Sequence, residues 1–344
     1  MKTIKVLIVD DSLVFRQMLM RYFLTVPNIQ IIGYAINAAD ARQKILKLQP
    51  DVVTLDVEMP GMSGIDFLKS FLPEHPIPFI LVSSLNIRVF DALSYGAVDF
   101  IRKPDMALAH SKDAFFSSLQ SKIVIASQAH VKIPQKKTNE RILPLPSGTL
   151  SHNTLSSTII GIGASTGGTE TTLEILKALP KEMPGIVVTQ HMPEGFTAMY
   201  AQRLNRLCKL EVKEAKHGDP ILPGQVLIAP GSLQMKVVPA QKGYMVQCVN
   251  GEKVNGHCPS VDVLFSSIAD NVSIRKVGII LTGMGRDGAD GLLKMRQKGA
   301  FTIGQDKASS VVYGMPMVAN NIGAVCIQSS YKNIASVLLN HLKQ

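Results

Sequence analysis

Residues 1–128 alternate between short apolar runs and longer stretches in which apolar residues recur at helical spacing. The runs fall at Lys5–Val9, Gln30–Ala35, Val52–Leu55, Phe79–Val82 and Val98–Ile101. Each has the length of a buried strand. The stretches between them, such as Ser12–Leu24 and Ala38–Leu48, read as amphipathic helices. Five strand–helix units of this size predict a doubly wound parallel sheet. Residues 129–157 lose the pattern: three prolines and many polar residues fall there without periodicity, and we read that stretch as a linker.

From Thr158 the alternation returns. Thr158–Gly163, Ile186–Gln190, Val277–Thr282 and Phe301–Gly304 read as buried strands, and Thr169–Leu179, Phe196–Leu207 and Gly288–Lys298 as helices. Between them, Gln225–Ala229, Met235–Pro239 and Tyr244–Val249 predict shorter antiparallel strands joined by Pro and Gly turns. The expectation is two α/β domains, 1–128 and 158–344, the second carrying a β-rich insertion. A chain of 344 residues is long enough for both to bury a core.

Composition narrows the function classes. The chain is 46% hydrophobic and 18% charged, too apolar for a disordered protein. No apolar run reaches the roughly 20 residues of a membrane span, and the opening MKTIKVLIVDDS reads as a first strand, not a signal peptide. We therefore expect a cytoplasmic protein with no direct membrane insertion. The cysteines at 208, 248, 258 and 326 are too scattered for a zinc site or disulfide framework. The net charge of +10 is diffuse: residues 1–120 carry 12 basic and 12 acidic side chains, residues 121–157 carry 5 and 1, and residues 158–344 carry 19 and 13. With no basic-aromatic stripe and no recognition motif, nucleic acid is not the expected partner.

Two constellations carry chemistry. In the first, Asp10 and Asp11 end the first strand, Asp56 the third, Ser83 the fourth and Lys103 the fifth. In an open parallel sheet those ends converge on one crevice. Clustered carboxylates repel unless a cation relieves them, and a hard, oxygen-seeking divalent ion would also neutralise a phosphoryl group arriving on a carboxylate. The motifs VDDS, LDVEMPGMSG, VSS and RKP resemble, in order, the receiver domain of two-component signalling, a flavodoxin-like fold. The resemblance implies that Asp56 is the phosphoacceptor and that Asp10, Asp11, Asp56 and the Glu58 backbone region hold Mg²⁺. It makes Ser83 and Lys103 readers of the phosphate and Phe100 the switching aromatic. One departure is the segment Asn86–Tyr95, about one helical turn short for that family.

In the second, IIGIGASTGG puts Ser165 between a buried strand and a helix, amid glycines. A dinucleotide-binding loop would want an acidic residue after the next strand, where the sequence is VVTQHMPEG, and a Walker loop would want a lysine that is missing. Gly163-Ala164-Ser165-Thr166-Gly167 instead fits a nucleophile on a tight turn, with helix N–H groups for an oxyanion. Serine needs a base, and the base an orienting carboxylate. His191 ends the next strand and Asp287 follows the strand KVGIILTGMGRDG. Asp287 alone could cap a helix, and His257 could equally face substrate or serve a turn.

GIGASTGG, QHMPEGFT, HCPSVDVLF and ILTGMGRDGADG resemble the catalytic domain of the chemotaxis protein-glutamate methylesterases, a Rossmann-like domain that follows a receiver and a linker. The resemblance implies Ser165 as nucleophile, His191 as general base and then acid, and Asp287 as the residue fixing the imidazole. It places Thr166 and the Met284 backbone at the oxyanion. It further implies methylated chemoreceptors as substrate, a chemotaxis histidine kinase as phosphodonor, and no cofactor for the esterase reaction. Met199 stands where that family has a small polar residue, and Cys258 where it has arginine. The rival reading is a response regulator whose second domain only binds a ligand; such a module has no need of Ser, His and Asp together.

Overall fold

The computed structural model describes residues 3–83, 89–105, 109–131 and 142–344. The chain divides into two compact units, Met1–Thr138 and Asn139–Gln344. In the first, strands β1 (Ile4–Val9), β2 (Ile29–Ala35), β3 (Val52–Asp56), β4 (Phe79–Ser83) and β5 (Asp99–Arg102) alternate with helices α1 (Leu13–Phe23), α2 (Ala38–Leu48), α3 (Gly64–Phe71), α4 (Val89–Ser94) and α5 (Ala109–Ala126). The strands pair in parallel in the order β2-β1-β3-β4-β5. Strand order therefore reverses beside β1, the place where a doubly wound sheet opens a crevice at its carboxyl ends. Strands β3 and β4 are buried along their whole length, which is why they read as continuous apolar runs and not as alternating ones. Helix α4 has only six residues; of the segment expected to be short, residues 86–88 lie outside the described residues.

The second unit begins with α6 (His152–Ser156), β6 (Thr158–Ala164), α7 (Gly168–Ala178), β7 (Gly185–Gln190), α8 (Phe196–Leu207), β8 (Glu211–Glu214) and β9 (Gln225–Ile228). A hairpin, β10 (Gln234–Pro239) and β11 (Tyr244–Val249), precedes α9 (Val261–Asn271) and β12 (Arg275–Ile280). The chain closes through α10 (Ala289–Gln297), β13 (Phe301–Gln305), α11 (Met315–Asn321), β14 (Ile327–Ser329) and α12 (Tyr331–Leu342). Seven strands form a parallel sheet in the order β14-β13-β12-β6-β7-β9-β8. Its reversal lies at β6, flanked by β12 and β7.

One expectation is corrected. The run at Gln225–Ala229 is not part of an antiparallel insertion: β9 joins the main sheet in parallel between β7 and β8. Its four residues are all buried, as a central strand requires; among the strands of the described residues, only β10 and β11 pair antiparallel. The stretch read as a linker is partly built into the second unit. The Leu143 N–H donates to Asn333 Oδ1 (2.8 Å), Ser336 Oγ donates to the Leu143 carbonyl (3.0 Å), and the Lys343 ammonium caps the carbonyls of Pro146 (3.1 Å), Ser147 (2.5 Å) and Gly148 (2.9 Å). Its prolines and polar residues do not exclude order here, because α12 supplies the hydrogen bonds that a lone strand lacks.

The glycines of β6 have a packing reason. A Cβ on Gly163 would come 2.1 Å from Val261 Cγ1, and one on Gly161 would come 2.7 Å from Ile268 Cδ1. Strand β6 thus presents bare backbone to α9, letting that helix lie close on the sheet with its first turn at the sheet's carboxyl edge. Among the described residues, no helix is long and apolar enough to cross a membrane.

Candidate functional site

At the carboxyl edge of the first sheet, the carboxylates of Asp10, Asp11 and Asp56 offer oxygens within 4.8 Å of one another. The Lys103 ammonium pairs with Asp56 Oδ2 at 2.6 Å and Asp10 Oδ2 at 2.9 Å. Glu58 enters through its backbone, whose N–H donates to Asp56 Oδ1 at 3.2 Å. Burial pushes the Asp56 carboxyl up to about 6, against the pull of Lys103 and with the added repulsion of Asp10. Burial acts to lower Lys103, but its hydrogen bond to Asp56 and the charge of Asp10 outweigh that and hold it above its usual value. Three oxygen donors around a partly neutralised charge suit a hard divalent cation. Ser83 Oγ is buried and has no hydrogen-bond partner, so it has an unspent donor at the strand end. Phe100 is buried and meets Phe90 edge-on, with ring centroids 6.1 Å apart.

The second sheet brings Ser165, His191 and Asp287 to one edge. Strands β6 and β7 pair with Ala164 opposite Gln190, so the next residue on each, Ser165 and His191, sits at the shared carboxyl end. The His191 N–H donates to the Ala164 carbonyl (3.0 Å) and the Ser165 N–H to the Thr282 carbonyl (3.0 Å). The turn at Ser165 is closed by Gly168 N–H donating to its carbonyl (2.8 Å), and Gln190 Nε2 donates to the same oxygen (2.8 Å). Gly283 makes room for the serine: a Cβ there would lie 2.7 Å from Ser165 Cβ. Thr166 follows, buried, its carbonyl accepting from Thr282 Oγ1 at 3.0 Å. Met284 begins the glycine-rich turn next to Gly283.

His191 and Asp287 are hydrogen-bonded, Nε2 to Oδ2 at 2.7 Å. The ring's other nitrogen, Nδ1, is buried without a hydrogen-bond partner; it is the atom left for a proton from a hydroxyl. Asp287 is 1% exposed and accepts from four further donors. Ser260 Oγ (2.7 Å), Asn255 Nδ2 (3.1 Å) and the Asp262 N–H (3.3 Å) meet Oδ1, while the Val261 N–H (2.7 Å) meets Oδ2. Burial would raise this carboxyl, but His191, Ser260 and Asn255 together hold it well below the usual carboxylate range. Asp287 is thus an anion held at the N-terminus of α9, and does not serve as a cap of the helix that follows it. The His257 ring lies flat on His191, centroids 3.6 Å apart and planes 12° from parallel.

Sequence reasoning missed Asn255, Ser260, Gln190 and Thr282. Asn255-Gly256 is a two-residue hairpin signal, and Ser260 before an apolar run is an N-cap signal; neither points to a catalytic edge until the fold is known. Met199 and Cys258 are both half-buried. Burial raises the Cys258 thiol, and all four cysteines are free.

Residues 160–338 match the model of the CheB methylesterase family, and residues 6–110 that of the response regulator receiver domain. The chain is 51% identical to the protein-glutamate methylesterase/protein-glutamine glutaminase 2 of Syntrophomonas wolfei, over all of this chain and 99% of the relative. It is 45% identical to the corresponding protein of Syntrophotalea carbinolica over the same shares of the two chains. The crystal structure of the Thermotoga maritima CheB methylesterase catalytic domain superposes with a TM-score of 0.53 at 35% identity, covering 54% of this chain and 99% of that one. The chain therefore belongs to the CheB methylesterase family, its methylesterase domain preceded by a response regulator receiver domain.

Proposed function

We propose that this chain is a protein-glutamate methylesterase and protein-glutamine glutaminase of chemotaxis adaptation, switched on by phosphorylation of its receiver. Its substrates are methylated chemoreceptors, its phosphodonor is a chemotaxis histidine kinase, and it works in the cytoplasm. The receiver occupies residues 1–128, the linker 129–157 and the catalytic domain 158–344. One observation carries the chemistry: a buried imidazole bonded to a buried carboxylate through Nε2, its Nδ1 uncommitted, beside a serine on a strand-end turn.

In this reading Ser165 Oγ attacks the γ-carbonyl of a glutamate methyl ester and passes its proton to His191 Nδ1. Asp287 steadies the imidazolium that results. Backbone N–H groups at Thr166 and Met284 face the developing oxyanion. His191 returns the proton to the leaving methoxide, giving methanol and a γ-glutamyl ester of Ser165. Water activated by the same imidazole then hydrolyses that ester. A glutamine side chain follows the same course with ammonia as the leaving group.

In the receiver, Asp56 accepts the phosphoryl group. Asp10, Asp11, Asp56 and the backbone at Glu58 would hold Mg²⁺, which when bound supplies positive charge beside the incoming phosphoryl oxygens. Lys103 pairs with one of those oxygens, and Ser83 Oγ, uncommitted before phosphorylation, turns to another. Phe100, already buried against Phe90, is the aromatic that responds to the hydroxyl's new position. The modified receiver then ceases to inhibit the esterase.

The test is methanol release from methylated receptor membranes, with and without acetyl phosphate. The full chain releases methanol, and more of it with the phosphodonor. Ser165→Ala releases none while keeping its thermal unfolding transition. Substantial methanol from that variant would end the assignment of the nucleophile.

A further inference from the structure

The turn Val254–His257 touches both the imidazole and the carboxylate of the esterase site, yet nothing in the chemistry above uses it. Its ends are locked by two backbone hydrogen bonds, Val254 N–H to His257 O (3.0 Å) and His257 N–H to Val254 O (2.9 Å). Asn255 and Gly256 sit between them with φ of +52° and +84°, the left-handed pair a two-residue hairpin demands and Asn-Gly supplies. Gln234, nearly fully buried, anchors the turn from beneath: its Nε2 donates to the carbonyls of Glu252 (2.9 Å) and His257 (3.3 Å), and its Oε1 accepts from the Ser260 N–H (2.9 Å).

From that turn the Asn255 carboxamide reaches two acids. Its Nδ2 donates to Asp262 Oδ2 at 2.6 Å and to Asp287 Oδ1 at 3.1 Å. Asp262 is itself buried, with its other oxygen taken by the Gly291 N–H at 2.6 Å. Two buried carboxylates this close repel each other, and one NH₂ group between them offsets the repulsion with both its protons. Two residues on, the same turn lays the His257 ring on His191.

We propose that Asn255 is a positioning residue for hydrolysis: by bridging Asp262 and Asp287 it holds the Asp287 carboxylate in the plane of His191 Nε2, while His257, on the same turn, fixes the face of the ring. The inference rests on the serine-hydrolase reading above. Removing the bridge frees Asp287 to tilt away from the His191 N–H toward its other donors. Activation of Ser165 falls, because the imidazolium formed as the hydroxyl gives up its proton is less well supported. The other titratable groups facing the pair are His257, across the ring, and Asp262, behind the carboxamide.

The test uses the full-length protein and the rate at which a fluorophosphonate probe labels Ser165, measured from pH 5 to 9, with Ser165→Ala as the blank. Asn255→Gly keeps the left-handed turn, since glycine adopts that φ freely, and deletes only the carboxamide. We expect labelling to slow roughly 10–100-fold, the range for a lost hydrogen bond to a charged group, with the acid limb of the profile moved to lower pH. Asn255→Asp, which also tolerates the turn, sets a third carboxylate against two and labels more slowly still at pH 7. An unchanged rate in either folded variant, or a uniform slowing with the pH profile unmoved, overturns the inference. If the wild-type protein itself shows no Ser165-specific label, the hydrolase reading fails instead, and the two failures are told apart.

Discussion

His191 meets Asp287 through Nε2 and not through Nδ1, at 2.7 Å. The choice of nitrogen decides which atom of the ring remains for the serine, because the partner of one nitrogen sets the tautomer of the other. With the proton on Nε2 directed at the carboxylate, Nδ1 is the basic atom. It lies nearest the ring's own backbone, which is bonded to Ala164, the residue before Ser165. A base presented close to its own main chain moves little, so the approach of the hydroxyl depends on the Ser165 turn, and that turn is tied down by Thr282, Gly168 and Gln190.

Neutralising the carboxylate tests that arrangement. Asp287→Asn keeps the size of the side chain but removes the charge that supports the imidazolium and lets the ring settle in the wrong tautomer. Methanol release should fall by about 10⁴-fold, the scale of the corresponding loss in serine proteases. The substitution also bears on stability. A carboxyl held below its unfolded value stabilises the fold at every pH above that value and ceases to do so as pH falls through the folded one. The second unit should therefore weaken on acidification below about pH 4, and the variant should lose that part of the pH dependence. Unfolding melts at pH 7 and pH 3.5 read this directly; parallel pH dependence in the two proteins would contradict it.

Much of this was legible in the chain because buried parallel strands write continuous apolar runs. Ser165, His191, Asp10, Asp56 and Lys103 stand at or just beyond the ends of such runs, so the doubly wound topology of each unit sets them on its carboxyl edge. Asp287 lies five residues past its run, Val277–Thr282, and is fixed by α9. What escaped was Asn255, Ser260 and the N–H groups at the start of α9, together with Gln190 and Thr282. Ser260, Val261 and Asn255 reach Asp287 only because Gly161 and Gly163 let α9 sit against β6. Those glycines look, in sequence, like a nucleotide fingerprint. The parallel pairing of β9 was hidden for a related reason: four apolar residues between turns fit a hairpin as well as a central strand.

For Asp56 the sign is opposite to that for Asp287. Its carboxyl is raised to about 6 by burial, so the fold is progressively weakened as pH rises from the unfolded value near 4 to about 6, and the whole of that cost is present above pH 6. Asp56→Asn should melt at a higher temperature than wild type at pH 7.5, and the gap should close below pH 4. Mg²⁺ should raise the wild-type melting temperature and leave the variant nearly unchanged. A variant less stable than wild type at pH 7.5 would show that the buried charge is compensated more fully than the geometry suggests.

Lys103 competes with a divalent ion for the same oxygens, bonding both Asp10 and Asp56. Its side chain is a quarter exposed, so the competition is modest, roughly 1 kcal/mol or about fivefold in affinity. Lys103→Met should bind Mg²⁺ about fivefold more tightly by titration, and yet fail to increase methanol release with acetyl phosphate, because no cation remains to meet the phosphoryl oxygen. Weaker Mg²⁺ binding in the variant would mean that the lysine organises the carboxylates instead of competing for them.

The strap formed by residues 142–150 separates two ways of removing the receiver. Leu143, Pro146, Ser147 and Gly148 are bonded to α12 and Lys343, and Leu150 is buried. A fragment 142–344 keeps those bonds, whereas a fragment 151–344 loses the buried Leu150 side chain and leaves Lys343 without its carbonyls. Both fragments should release methanol faster than the unphosphorylated full chain, since both lack the inhibitory receiver. The shorter one should melt lower, by about 2–4 °C for each kcal/mol lost, and lose activity sooner on warming. Lys343→Met in the longer fragment should reproduce part of that drop. Equal melting temperatures for the two fragments would show that the strap adds no stability, and a basal rate no higher than the full chain's in both would count against inhibition by the receiver.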